Sequence, residues 1–207
     1  MIEKSKETTA GKETDPMKNI EETIKGRRSI RKFKPDPVKD ETILDLLELA
    51  TYAPSAGLAF GQEHPWSFVV IMDKVMLNRL SEVAKAWTLR FIKNVPAFDW
   101  FRPSCQDPHY HLFYHAPALI MILGEKGSPI SLIDCVLAAE NFMLAAHAQG
   151  LGTCWVEWTK QAAQDKALMA ELGIPEGLVI HASIVLGYPD EIPAAPERRP
   201  PHVINWA

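Results

Sequence analysis

Apolar residues repeat along this chain at two different periods, and the switches between them mark its elements. In residues 19–26, Ile20 and Ile24 lie four apart on one face, which predicts a short helix ended by Gly26. Asp40 is placed to cap a second helix whose face is Ile43, Leu46, Leu47 and Ala50. That helix runs out before Pro54, and Pro54-Ser55-Ala56-Gly57 has loop chemistry. Residues 66–72 are β-branched, aromatic and apolar, so they predict a buried strand. Asp73 then caps a helix carrying Val75, Met76, Leu80, Val83 and Ala84. Further buried strands are predicted at 117–123, 154–158 and 179–186. Residues 131–149 are apolar nearly all round, which predicts a central buried helix stopped by Gly150. Thr159 is placed to cap a helix containing Ala167, Leu168 and Leu172. The stretch 94–115 holds Pro96, Pro103, Pro108 and many aromatics; it is too long for a mere connection and predicts a lid or pocket wall.

Strands alternate with helices, but without the even spacing of a repeated βαβ unit, so periodicity leaves α/β and α+β both open. At 207 residues, one domain with a substantial core is the simplest organisation. Residues 1–18 are rich in Lys, Glu and Thr and lack a hydrophobic segment, so they read as a disordered leader before a domain at 19–207. The composition, 47% hydrophobic and 23% charged, is that of a soluble protein, and no apolar run reads as a membrane span. Three separated cysteines give no disulfide framework, which makes a reducing cytoplasm the expected compartment.

Charge changes the picture. The chain is acidic, with 26 Asp+Glu against 22 Lys+Arg, yet Arg27, Arg28, Arg31, Lys32 and Lys34 crowd together beside Ser29. Guanidinium forks next to a hydroxyl suit a phosphate. A net charge of -4 argues against the broad basic footprint that nucleic acid requires. The alternative is a solvated basic turn between two helices. Cys105, His109, His111 and His115 are metal-ligand types, but their spacing matches no closed zinc pattern; they read as part of a polar, aromatic lid and are not assigned as metal ligands, with a metal site as the alternative. His64 is isolated, and His181, inside a strand, reads as a satisfied core residue.

Several short motifs then follow in order. Arg27-Arg28-Ser29-Ile30-Arg31-Lys32-Phe33 precedes Ala53-Pro54-Ser55-Ala56-Gly57 and Pro65-Trp66. After these come Gly150-Leu151-Gly152-Thr153-Cys154-Trp155-Val156, Leu186-Gly187-Tyr188-Pro189 and Arg198-Arg199-Pro200. The series resembles the nitroreductase family of FMN-dependent oxidoreductases, over residues 20–200. The resemblance implies an α+β fold: a mixed, mostly antiparallel sheet flanked by helices, in an intertwined homodimer with flavin at the interface. It implies FMN as cofactor and NAD(P)H as co-substrate, with ping-pong transfer of hydride or electrons to a small nitroaromatic- or quinone-like acceptor. No protein side chain is then required as catalyst, and neither nucleic acid nor membrane is expected as partner.

The same resemblance implies which residues hold the flavin. Arg27 and Arg28 would serve the phosphate or the pyrimidine edge, Ser29 the phosphate and Arg31 the pyrimidine carbonyls. Arg198 and Arg199 match C-terminal basic residues that reach the phosphate. Pro54, Ser55, Ala56 and Gly57 match the loop lent by a second subunit. Trp155, Val156 and Glu157 form the wall behind the ring, with the Glu157 backbone near N5 and its carboxylate free to act on nicotinamide or acceptor. The chain departs from the pattern at Leu58, where an Asn is usual, and in the longer stretch 58–64; Gln62 is the candidate to supply the missing amide. Two alternatives stay open: a flavin enzyme working on a specific substrate without free NAD(P)H, and a flavin-binding protein with little turnover.

Overall fold

The computed structural model describes residues 20–207; the leader expected at 1–18 lies outside the described residues. Helix α1 is Ile20–Gly26 and α2 is Asp40–Thr51. The second helix buries Ile43, Leu46 and Ala50 as its periodicity requires. Asp40 is its first residue, not its cap, because Lys39 holds the extended cap conformation and makes no side-chain capping bond. A single helical turn, α3 (Ala56–Ala59), occupies ground expected to be loop; Ser55 caps it by accepting the Leu58 N–H at 3.1 Å.

Strand β1 is Ser67–Ile71, followed by α4 (Lys74–Ile92), which Asp73 caps through the Met76 N–H at 2.7 Å. The buried face of α4 is Leu77, Leu80, Ser81, Ala84, Lys85, Thr88 and Ile92, whereas Val75 is exposed. The 94–115 stretch is not a bare lid. A 3-10 turn at Pro96–Phe101 leads into α5 (Arg102–Gln106), and Phe101, Cys105, Leu112 and Phe113 are buried. Lys85, almost fully buried, holds the next turn by donating to the carbonyls of Asp107 and Tyr110, each at 3.1 Å.

Strand β2 is Ala118–Glu125 and α6 is Pro129–Ala148. Strand β3, Gly152–Trp155, stops short of the expected Trp158, and the chain continues into two brief helices. These are α7 (Thr159–Ala162) and α8 (Lys166–Glu171); Thr159 is the first residue of α7, and the side-chain cap is Asp165, on α8. Strand β4 is Leu178–Gly187.

The sheet order is β1-β2-β4-β3, with every pairing antiparallel. The fold is therefore α+β. Helices cover both faces, so alternate residues of central β2 enter different cores. Ile120 and Ile122 join Leu46, Ala138 and Phe142 from α2 and α6; Leu119, Met121 and Leu123 join Leu80, Phe113 and Leu168 on the other side. A register shift opposite Ile122 and Leu123 leaves His181 as the extra residue of a bulge, and its Nε2 lies 3.2 Å from Ser131 Oγ. Among the described residues α6 is the one helix long and apolar enough to cross a membrane, a feature the sequence reading missed. Here one of its faces is packed against the sheet.

Candidate functional site

The residues that follow α1 run along the free edge of β3. Ser29 forms a parallel bridge with Thr153, and the Ile30 N–H donates to the Thr153 carbonyl at 2.9 Å. Gly152 makes this approach possible: a Cβ there would lie 2.7 Å from Ile30 Cγ1. Beyond Arg31 the segment crosses to the chain leaving β4, with Phe33 bridged to Pro189 and the Lys34 N–H donating to the Tyr188 carbonyl at 2.9 Å. Lys32 forms an ion pair with Glu191. This backbone ladder fixes Arg27, Ser29 and Arg31 around Cys154. Burial raises the Cys154 thiol pKa, while Arg31, a Ser29 hydrogen bond and Arg27 pull the other way. Cys154 therefore remains a thiol and is a poor nucleophile.

The cations differ in what they are free to do. Arg28 is turned inward, donating to the carbonyls of Lys25 and Arg27 at 2.7 and 2.8 Å, so it caps α1. Arg27 has only a distant carboxylate, Glu140, at 3.9 Å. Arg31 makes no ion pair among the described residues; its guanidinium lies 5.9 Å from the centre of the Tyr114 ring. Burial lowers the Arg31 pKa, but Cys154, Tyr114 and Tyr110 together outweigh it, leaving a net upward shift. Tyr114 and His115 both have left-handed backbone, φ 54 and 53, a conformation costly for residues with a side chain. Two arginines and a hydroxyl, with Glu140 at 3.9 Å from Arg27 as their one carboxylate contact among the described residues, form a donor set suited to an anion from outside. FMN, with its phosphate and pyrimidine carbonyls, fits that chemistry.

At the end of β3, Val156 is buried and its N–H donates to the Ser183 carbonyl at 2.8 Å, so it belongs to the core. The Trp155 indole N–H donates to Glu157 Oε2 at 2.9 Å, and Lys160 pairs with Oε1 at 2.6 Å. The Glu157 carboxylate is thus engaged on both oxygens and is not the free group expected from sequence.

Residues 54–57 lie elsewhere. They meet α6 at Asp134, whereas Arg27 meets it at Glu140 and Gly26 lies against His147. At 1.5 Å per residue those contacts are roughly 9 and 20 Å further along the axis. Gln62 donates its amide to Glu125 at 3.3 Å and its N–H to the Gly57 carbonyl at 3.0 Å, so it closes its own loop. The cavity beside the arginines, lined by Arg27, Arg28, Ile30, His147 and Thr153, is about 80 Å³. Ligand pockets run to roughly 300 Å³ or more, so this cavity beside the arginines does not by itself enclose a flavin. Arg198 and Arg199 are exposed in the extended C-terminal segment and make no hydrogen bond or ion pair among the described residues. Beyond them Ile204 and Trp206 are about 90% exposed.

The Cys105–His115 set does not converge. Cys105 is buried, His109 and His115 are exposed, and His111 Nδ1 accepts from backbone N–H groups. No group of three or more His, Cys, Asp or Glu among the described residues could hold a metal ion. Sequence reasoning passed over two residues, Asp134 and Tyr114. An acid inside the apolar run 129–148, which carries only Asp134 and Glu140, was the available signal for the first. Tyr114 gave none, because backbone strain leaves no trace in one sequence.

An antiparallel sheet clad with helices on both faces, with a cluster of arginines along one edge strand, defines an α+β protein. The chain belongs to the nitroreductase family, whose sequence profile matches residues 24–188. A relative from Archaeoglobus fulgidus, provisionally named NADH dehydrogenase/NAD(P)H nitroreductase, is 34% identical over 80% of this chain and 82% of its own length. The NADPH-flavin oxidoreductase of Vibrio harveyi is 28% identical over 91% of this chain and 73% of its own. The crystal structure of a nitroreductase with bound FMN from Bacteroides fragilis superposes with a TM-score of 0.76, at 28% identity, covering 92% of this chain and 98% of that one.

Proposed function

We propose that this chain is an FMN-dependent oxidoreductase that draws reducing equivalents from NAD(P)H and passes them to a small nitroaromatic- or quinone-like acceptor in a ping-pong cycle. The observation that carries the reading is the segment from Ser29 to Phe33, bridged to β3 at Thr153 and to the chain after β4 at Pro189, which gathers Arg27, Ser29 and Arg31 with Glu140, 3.9 Å from Arg27, as their one carboxylate contact among the described residues. When bound, FMN supplies the redox chemistry that no side chain of this protein offers. Arg27 and Ser29 hold the phosphate end, and Arg31 donates to the pyrimidine carbonyls while resting against Tyr114. Trp155 and Lys160 immobilise Glu157, which keeps the chain after β3 in place as a wall behind the ring. Arg28 commits Nη1 to the carbonyls of Lys25 and Arg27 and has Nε and Nη2 left to offer the cofactor.

The site is shared between two copies of the chain. Three features support this: the small cavity in one chain, the spread of its candidate residues along α6, and an uncovered apolar face on that helix. Leu132, Ile133, Val136 and Leu137 are 38–60% exposed, far more than a helix so apolar tolerates in water. Pro54 to Gly57, together with Arg198 and Arg199 of the tail, complete the partner's site. Residues 19–207 act as one domain in this arrangement.

The test is the visible spectrum of the purified protein, with the heat-released chromophore identified by chromatography, followed by anaerobic mixing with NADH and NADPH. Stoichiometric FMN that bleaches with a nicotinamide and recovers with a quinone is the expected result. A protein that neither carries nor takes up FMN would overturn the reading. FMN that no nicotinamide bleaches would leave the flavin site standing and remove NAD(P)H from the function.

A further inference from the structure

We propose that Asp134 is the positioning residue of the flavin loop, acting from inside α6 to fix Ser55, Ala56 and Gly57 in the shape that meets the cofactor. The inference rests on the reading above that this loop faces FMN.

Asp134 lies in the first half of α6, on the side turned away from water, and is 1% exposed. A buried carboxylate must find donors for its lone pairs, and here all of them come from one loop. The Ser55 hydroxyl donates to Oδ2 at 2.6 Å, the Gly57 N–H donates to the same oxygen at 3.0 Å, and the Ala56 N–H donates to Oδ1 at 3.2 Å. Ser55 Oγ in turn accepts the Leu58 N–H at 3.1 Å. One side chain thereby organises four successive residues. Gly57 is required by the same closeness: a Cβ there would lie 3.1 Å from Asp134 Oδ2, 2.8 Å from Pro65 Cβ and 2.3 Å from Gln62 Oε1.

The arrangement also restricts what the loop offers a ligand. The hydroxyl hydrogen of Ser55 is committed to Asp134 and one oxygen lone pair to Leu58, so Ser55 meets FMN only as an acceptor, for example of a ribityl hydroxyl. The N–H groups of Ala56 and Gly57 point back into the protein. The carbonyls of Ala56 and Gly57 are also committed, accepting the N–H groups of Phe60 and Gln62, so the contribution of this loop to the cofactor is its shape, and Asp134 sets that shape.

Asp134→Asn tests this with almost no change in volume. Whichever way the new amide turns, its NH₂ meets a backbone N–H, of Ala56 or of Gly57, where an acceptor stood. Three readouts are needed: hydrogen exchange of the flavin-free protein, FMN titration followed by fluorescence, and the melting temperature. The expected result is faster exchange confined to residues 55–60, unchanged exchange in β2 and β4, and an FMN Kd raised about tenfold or more. Ser55→Ala, which removes one of the three bonds, should shift both quantities in the same direction by less, and it carries the test if Asp134→Asn does not fold. Exchange that rises throughout β2 and β4 would overturn the proposal in favour of a general packing role. A loosened loop with wild-type FMN affinity would overturn it too. If the unmutated protein takes up no FMN, the flavin reading has failed first, before any variant is made, and this proposal falls with it.

Discussion

Lowering the pH should weaken this protein in part through one buried histidine, His111. His111 is 9% exposed, and its Nδ1 accepts the N–H of Phe113 at 3.1 Å and of His115 at 3.4 Å. The proton of the neutral ring therefore sits on Nε2, which is buried without a partner. A second proton would have to go on Nδ1, against two N–H groups that now point at it. Burial, reinforced by the neighbouring His115 and only partly opposed by Glu82, lowers the His111 pKa from 6.5 to about 4. The unfolded chain binds that proton near pH 6.5 and the folded chain near 4, so the stabilisation is complete above 6.5 and is lost as pH falls towards 4. Between pH 7.5 and pH 5 the loss is about 2 kcal/mol, from about 1.4 kcal/mol per pH unit across the 1.5 units below 6.5. His111→Asn keeps an acceptor near Nδ1 and removes the titration. Urea unfolding of both proteins at the two pH values, at one fixed subunit concentration, measures the difference. The variant should lose about 2 kcal/mol less than the wild type on acidification. Equal losses in the two proteins would refute the assignment of this titration to His111.

Three further perturbations follow from the same geometry. Lys85→Met removes the ammonium donor from the carbonyls of Tyr110 and Asp107, the latter keeping the Tyr110 N–H, together with the pair to Glu82, and should cost about 1–3 kcal/mol in urea unfolding at neutral pH; a cost within ~0.5 kcal/mol would mean that water replaces the ammonium. Arg31→Lys keeps the charge but not the planar fork against Tyr114, so FMN titration should show a Kd raised about tenfold, and unchanged affinity would remove Arg31 from the pyrimidine edge. Ile133→Glu puts charge in the centre of the uncovered face of α6 and should give a monomer by sedimentation that also fails to retain FMN, although no flavin contact was altered. A monomer that binds FMN as the wild type does would refute the shared site.

Much of the fold was legible because both periods were clean. The run 66–72 and the pattern at 43, 46, 47 and 50 became β1 and α2, but β1 is an edge strand that fully buries Ile71 alone, not the buried strand its apolar run suggests. Errors fell where tertiary contacts override local chemistry. Asp40 looks like a cap, but the extended backbone that a cap needs belongs to Lys39. Val75 fits the apolar period of α4, yet Leu77 takes the core position. The prolines of 96–108 suggested an open lid, whereas Phe101 stacks on Trp158 with ring centres 4.8 Å apart and the segment is anchored by Lys85. The chemistry of the site was readable in part. Clustered arginines announce an anion, but only the ladder against β3 shows that Arg28 faces α1 while Arg31 faces outward. The acidic partner of Ser55 lies 79 residues away in sequence, a separation that no local pattern bridges.

Helix α6 joins the fold to the function. Its sequence is apolar nearly all round, a pattern that elsewhere marks a helix enclosed on every side. A single chain encloses half of it: Cys135, Ala138, Ala139 and Phe142 sit under α2 and the sheet, while Leu132, Ile133, Val136 and Leu137 face outward. The all-round pattern is satisfied only if another surface covers the second face, and in the dimer proposed above a second copy of the same helix would supply one by symmetry. Asp134 and Glu140 are the two acids this apolar helix carries, and each serves one half of the proposed site, the loop and the arginine rim. Those halves stand apart within one chain. An axis of symmetry across α6 would bring the loop of one copy towards the rim of the other, so the residues that look misplaced in the single chain and the apolar face that looks unfinished have one physical explanation.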